Sequence, residues 1–256
     1  MTTARPAVRP TPRERARAEF RRDLLAAARV RLVQDGPQQL SLRAVARDLG
    51  VASSAVYRYV DSRDALLTLL VAESYDAAGA AVEQGAAAAV AAGHDPARTW
   101  LEAARAFRRW AVADPHAFEL IYGTPVPGYV APRDTVAPAT RLWNVVVDVL
   151  AAARRAGAPA TVVPVPDPTD LVTDDVLVFA AQRTGGDPAL EPGDAARSLT
   201  LFASLVGAVT AELFGHLRGI ADDHGRAFDA IVATAAAGVG LTVDLAAAWG
   251  QDGEAG

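Results

Sequence analysis

The stretch that most constrains this 256-residue chain runs from Ser41 to Val60, where two short helical faces stand on either side of a glycine. Leu42, Val45, Ala46 and Leu49 recur at helical spacing for two turns and stop at Gly50. Val51, Val56 and Val60 resume that spacing within a few residues, leaving Ser53, Ser54, Tyr57 and Arg58 to face outward. Ser41 stands where an N-cap belongs. Two short helices flanking a glycine turn form the helix-turn-helix pattern, whose second helix enters the DNA major groove because the groove is wide enough to admit one helix.

The flanking sequence extends the pattern. Leu24, Leu25, Ala28 and Leu32 form one stripe of a preceding helix that stops at Gly36-Pro37. A fourth helix begins at Asp61-Ser62, with either residue able to cap, and continues through Leu66, Leu67, Leu70 and Val71 to about Ala91. Further helices are expected over about 95–113 and 140–153, with Trp100, Phe107, Trp110, Leu142, Trp143 and Leu150 on their apolar faces. His116 to Tyr122 reads as a short segment, Gly123 to Pro138 as a proline-rich loop, and Gly157 to Pro192 as irregular with one helical run over Leu171 to Gln182. Hydrophobic residues make up 51% of the chain but aromatics only 6%, and much of the rest is alanine, which favours packed helices over sheet. The expected fold is all-α. It comprises a flexible basic arm (1–12), a three-helix domain carrying the helix-turn-helix (13–61), a larger helical bundle (62–250), and a tail (251–256).

Charge locates the functional end. The net charge of −5 conceals an asymmetry: residues 1–60 carry 12 arginines against 5 acids, whereas residues 61–256 carry 13 against 25. A basic segment on an acidic chain is where phosphates bind. Residue types that are missing exclude much enzymology. With no cysteine there is no disulfide, thiolate nucleophile or cysteine-ligated zinc, and with no lysine there is no Walker A lysine, Schiff base or serine–lysine dyad. His94, His116, His216 and His224 show no ligand spacing, and no GxSxG elbow follows a strand, so no metal, cofactor or catalytic residue is expected. The first residues lack a signal-peptide core, and no run approaches the roughly 20 apolar residues of a membrane span, so a cytoplasmic protein without a membrane partner is expected.

The last two helices, expected over 193–218 and 223–249, are apolar on more than one face. A surface helix needs one apolar stripe, so these should be covered twice, by their own domain and by a second copy. A homodimer through a four-helix interface is the expectation, with a deeply buried internal hairpin as the alternative.

Leu24 to Leu67 closely resembles the DNA-binding domain of the TetR/AcrR family of bacterial regulators. The resemblance rests on Ala27-Ala28, Gly36, the Leu42, Val45 and Ala46 face, Gly50-Val51, Tyr57-Arg58-Tyr59, Ser62-Arg63 and Ala65-Leu66. Arg108 to Gly123 and Leu205 to Leu217 look like the WHG-type C-terminal domain of some members. There are departures. Ala52 replaces the usual capping serine, so Ser53 is expected to cap instead; Val33 and Val60 replace aromatics; Arg63 replaces a lysine. On the DNA-binding reading, Ser41, Arg43, Tyr57, Tyr59 and Arg63 meet phosphate, while Ser53, Ser54, Ala55 and Arg58 face base edges, Arg58 being suited to guanine. Tyr57 and Tyr59 point in different directions on a helix, so at least one should be exposed. Arg13, Arg15 and Arg17 are either a flexible tail or reach a neighbouring groove. The resemblance implies a ligand cavity in the larger domain. Phe107, Trp110, Tyr122, Trp143 and Phe202 are its candidate lining, suited to an apolar or amphipathic effector. The rival readings are a DNA-binding protein whose larger domain binds a protein or only dimerises, and a helical enzyme or binding protein that does not contact DNA.

Overall fold

The computed structural model describes residues 11–159, 171–183, 185–186 and 192–252. Most of the expected arm and tail lie outside the described residues. Every regular element among the described residues is helical. The chain divides into two compact units, one built on residues up to Glu73 together with Gly123–Thr135, the other on Ser74–Tyr122 and the chain from Val136 onward.

In the first unit, α1 (Pro12–Asp35) starts at a capping box: the Thr11 hydroxyl accepts from the Glu14 N–H, and the Glu14 carboxylate accepts from the Thr11 N–H. Helix therefore begins at the last residue of the expected arm, with Pro12 at the position where a missing N–H costs nothing. Leu24, Leu25, Ala28 and Leu32 are its buried stripe, as the spacing predicts, and Gly36 ends it at a positive φ of 76°. α2 (Leu42–Asp48) buries Leu42, Val45 and Ala46, and α3 (Ser53–Val56) buries Val56. Arg31 clamps α1 to α2, its Nε and Nη2 donating to the two Asp48 oxygens at 2.6 and 2.7 Å. That bond, ahead of simple charge attraction, holds the Asp48 carboxyl below its ordinary range. The first residues of α4 (Arg63–Ala91) complete the small core with Leu66, Leu67, Leu70 and Val71.

In the second unit, α5 (Pro96–Ala113), capped by Asp95, buries Trp100, Leu101 and Phe107, and the Trp100 indole donates to the Val232 carbonyl. Around it pack α6 (Pro115–Tyr122), α7 (Val136–Arg155), α9 (Pro192–Leu213) and α10 (His224–Gly238), while α8 (Asp174–Arg183) lies on α7 and α9, and α11 (Leu245–Asp252) on α10. The run expected over Leu171 to Gln182 is helical from Asp174 to Arg183.

Three expectations are corrected. α7 starts at Val136, earlier than the expected 140, because Pro138 falls in its first turn, where proline is tolerated. The last expected helix, 223–249, is two helices. Gly240 stands at φ 86°, and a Cβ there would lie 2.2 Å from the Pro159 carbonyl oxygen. Arg154 fixes the break by donating to the Val239 and Pro159 carbonyls while it pairs with Asp194 at 2.7 Å. Finally, three helices, Arg63–Ala91, Val136–Arg155 and Gly193–Leu213, are long and apolar enough to cross a membrane by length and composition. Alanine raises their hydropathy without the large side chains that the sequence reading counted. In α7 the flanking charges are used inside the protein, Arg141 pairing with Asp76 and Glu83, and Arg154 with Asp194.

Candidate functional site

The two short helices of the first unit present a compact group of polar and basic side chains. Arg43, Arg47, Ser54, Tyr57 and Arg58 are exposed, and Ser41, Ser53, Ala55, Tyr59 and Arg63 are half-buried. Arg43, Arg47 and Arg58 make no hydrogen bond or ion pair among the described residues, so three guanidinium groups around the motif keep their donors open to a partner. Arg47 was not among the sequence candidates. Its signal was available, since it lies one turn beyond Arg43 on α2 and shares that face.

Local geometry differs from the sequence reading in several places. The recognition segment holds only one turn of α-helix, Ser53–Val56. It tightens through Tyr59, where the Tyr59 N–H donates to the Val56 carbonyl at 2.9 Å. Arg58 therefore sits in the turn that follows α3, not on the helix. Ser53 is the first helical residue and not the cap; Ala52 holds the cap position in extended conformation and has no side-chain oxygen to offer. Ser41 occupies the cap position of α2 but makes no side-chain capping bond, whereas Ser62 does cap α4, accepting from the Ala65 N–H at 3.0 Å. Tyr57 is 46% exposed. Tyr59 stacks on Phe20 at 4.4 Å between ring centroids, with the Arg17 guanidinium 6.0 Å from its ring. The tyrosine pair thus divides as its spacing requires, one outward and one packed on α1. Arg63 donates from Nη2 to the Pro37 carbonyl at 2.7 Å and from Nη1 to Asp64 at 2.9 Å, so its guanidinium is anchored to the scaffold.

In the second unit the five expected ligand residues come together. Phe107 lies 5.5 Å from Trp110 and 5.8 Å from Tyr122, Tyr122 lies 6.2 Å from Phe202, and Phe202 stacks on Trp143 at 6.0 Å. Phe118 and Tyr75 extend the cluster, at 5.3 and 5.9 Å from Tyr122. The Trp143 indole donates to the Ser198 hydroxyl at 2.8 Å. The Tyr122 hydroxyl is buried without a hydrogen-bond partner among the described residues, and burial pushes its phenol above the ordinary range. The cluster is mainly aromatic, and its polar groups include the Tyr75 and Tyr122 hydroxyls and the Trp143–Ser198 pair.

Known proteins match both units. Residues 24–70 match the family described as bacterial regulatory proteins, tetR family, and residues 100–235 match the tetracyclin repressor-like C-terminal domain. The chain belongs to the TetR family. It is therefore a DNA-binding transcriptional regulator, and its fold is the family's helix-turn-helix joined to a helical bundle. HTH-type transcriptional regulators of Mycobacterium tuberculosis and Mycobacterium bovis are 37% identical over 231 residues, which span 85% of this chain and 91% of each relative. Among solved structures, the regulatory protein SCO4313 aligns with a TM-score of 0.69 at 32% identity over 88% of this chain and 98% of its own. A Rhodococcus protein of unknown function aligns at 0.63 and 25% identity over 86% and 95%. As a member of the TetR family, the chain falls in a class of regulators and not of enzymes.

Proposed function

We propose that the protein is a ligand-responsive repressor that binds a palindromic operator as a homodimer in the cytoplasm. The observation that carries this reading is the set of exposed arginines without a hydrogen bond or ion pair among the described residues, Arg43 and Arg58 with Arg47 beside them, around the serine-bearing turn Ser53-Ser54. Arg43, Ser41, Tyr57, Tyr59 and Arg63 position the duplex through phosphates; Ser53, Ser54, Ala55 and Arg58 meet base edges. Because Tyr59 and Arg63 are held by Phe20 and Pro37, they contribute orientation more than freely available charge.

The dimer forms through the outer faces of α9 and α10, on which Thr200, Ala203, Gly207, Ile231 and Thr234 are exposed, small or apolar. A twofold pair of recognition segments spaced roughly 34–36 Å apart reads two half-sites in successive major grooves. The effector is apolar or amphipathic and binds at the aromatic cluster. It relieves repression by preferring the conformation in which that spacing is wrong, and it lowers operator affinity only by its differential affinity for the two states.

Binding of the purified chain to the duplex upstream of its gene, followed by fluorescence anisotropy across salt concentrations, tests the reading. The upstream duplex should bind in preference to random duplex. The Arg43→Gln/Arg58→Gln variant should lose that preference, and each phosphate contact removed should lessen the log–log salt slope by about 0.9. Equal affinity for random duplex, or a variant that binds as the wild type does, would falsify the assignment of these residues.

A further inference from the structure

The second unit also holds a polar site whose lining shares no residue with the aromatic cluster. α5, the start of α10 and α11 line an open cleft of about 390 Å³ formed by Arg105, Arg108, Arg109, Asp223, Arg226 and Trp249, with Gly225 and Asp229 completing it. The chain beyond residue 60 is acidic, yet four of its 13 arginines meet here.

Two of the four build the walls. Asp229, only 4% exposed, accepts from Arg105 Nη2 at 2.7 Å and from the Trp249 indole at 3.0 Å, which ties α11 to α5. Glu102 also accepts from Arg105, at 3.2 Å. Arg108 gives Nε and Nη2 to Glu212, both at 2.7 Å, and its Nη1 has no hydrogen-bond partner among the described residues. The other two arginines are available. Arg109 is exposed and makes no ion pair or hydrogen bond among the described residues. Arg226 lies over the Trp249 ring at 5.3 Å and holds Asp223 only loosely, at 3.6 Å. The cavity thus has a rigid, hydrogen-bonded frame and a rim with guanidinium donors to spare.

We propose that this cavity binds a small molecule bearing a carboxylate or phosphate, gripped by Arg109 and Arg226 with Arg108 Nη1 behind them. Guanidinium forks match planar and tetrahedral oxyanions through paired N–H donors. A volume near 390 Å³ lies in the range of small-molecule sites. A concave site also suits a small molecule better than a duplex, whose phosphates lie along a ridge. The site does not depend on the aromatic cluster or on repression, so either reading can fail without the other.

Calorimetric titration of the full chain at constant ionic strength tests it, with phenyl phosphate, benzoate and benzyl alcohol as probes. At least one anionic probe should bind saturably, one per chain, and the alcohol should not; which anion binds more tightly identifies phosphate or carboxylate as the group recognised. Arg109→Gln should weaken binding at least tenfold, and Arg109→Gln/Arg226→Gln should abolish it. Both residues are exposed, so neither change threatens the fold. Tyr122→Phe, altered only in the aromatic core, should bind the anions as the wild type does. The proposal is overturned by any of four results: binding of the alcohol equal to that of the anions, no saturable binding of either anion, affinity unchanged in the double variant, or loss of binding in Tyr122→Phe. Displacement of the probe by random duplex DNA through Arg109 would assign the arginines to nucleic acid and overturn it as well.

Discussion

Gly85 lies in the interior of α4, where glycine ordinarily weakens a helix by about 0.5–1 kcal/mol relative to alanine. On propensity alone Gly85→Ala should stabilise the protein. The packing reverses the sign. A Cβ at Gly85 would lie 2.6 Å from the Ala106 Cβ, 2.9 Å from the Glu102 carbonyl oxygen and 3.3 Å from the Ala103 Cα. Two of these neighbours are backbone and the third is the shortest side chain that has a Cβ, so none can swing aside; α5 itself must move. Overpacking of this kind costs about 1–3 kcal/mol, which exceeds the propensity gain and leaves a net loss of roughly 1–2 kcal/mol. Urea unfolding at one fixed protein concentration measures it, with unchanged m-values required for the comparison. The melting temperature should fall by about 2–4 °C for each kcal/mol. Ala88→Gly, at an exposed position in the same helix, isolates the propensity term and should cost about 1 kcal/mol. If Gly85→Ala proves as stable as the wild type or more so, the close approach of α4 and α5 is not what keeps glycine at this position.

Two further outcomes follow from single polar groups. Tyr122→Phe should leave stability unchanged or raise it by about 1 kcal/mol at neutral pH, because the hydroxyl removed has no hydrogen-bond partner among the described residues. Since burial raises this phenol, the folded state holds its proton more tightly than the unfolded chain does. Stability should therefore decline as pH rises beyond the ordinary phenol value near 10, and Tyr122→Phe should flatten that decline in alkaline unfolding curves. Asp229→Asn should destabilise by about 3 kcal/mol in urea unfolding, because it leaves the Arg105 guanidinium with only Glu102 of its two carboxylate partners named above, and it should shift the fluorescence of Trp249. A variant within 0.5 kcal/mol of the wild type by the approximate size of neutral surface changes would refute that role.

What could be read in the sequence was what is encoded locally. The Leu42, Val45 and Ala46 face, the glycine that ends α1 and the start of α5 near residue 95 each depend on residues a few positions apart, and each stands where its spacing put it. The break between α10 and α11 was not legible. Residues 223–249 are compatible with one helix throughout, and only the approach of Pro159 and the reach of Arg154, both distant in sequence, force the turn at Gly240. The length of α3 was overestimated for a related reason: Val51, Val56 and Val60 fit helical spacing, but a tightened turn through Tyr59 also buries Val56 and Val60. The aromatic cluster could be anticipated because large rings in an alanine-rich domain have few places to go. The arginine cavity could not, because its lining comes from 105–109, 223–229 and 249, and nothing in sequence order signals that these segments meet.

The capping box at Thr11 bears on how the basic amino end engages a partner. From Thr11 to Glu19 every residue is exposed, so these turns of α1 are held chiefly by their cap and their backbone ladder, with the Arg17 guanidinium against the Tyr59 ring. Arg13, Arg15 and Arg17 are consequently fixed in relative direction before anything docks. A duplex meeting them encounters a short charged rod, with the ordering entropy of that stretch already lost, where an unstructured tail would lose about 1–2 kcal/mol for each residue it had to fix.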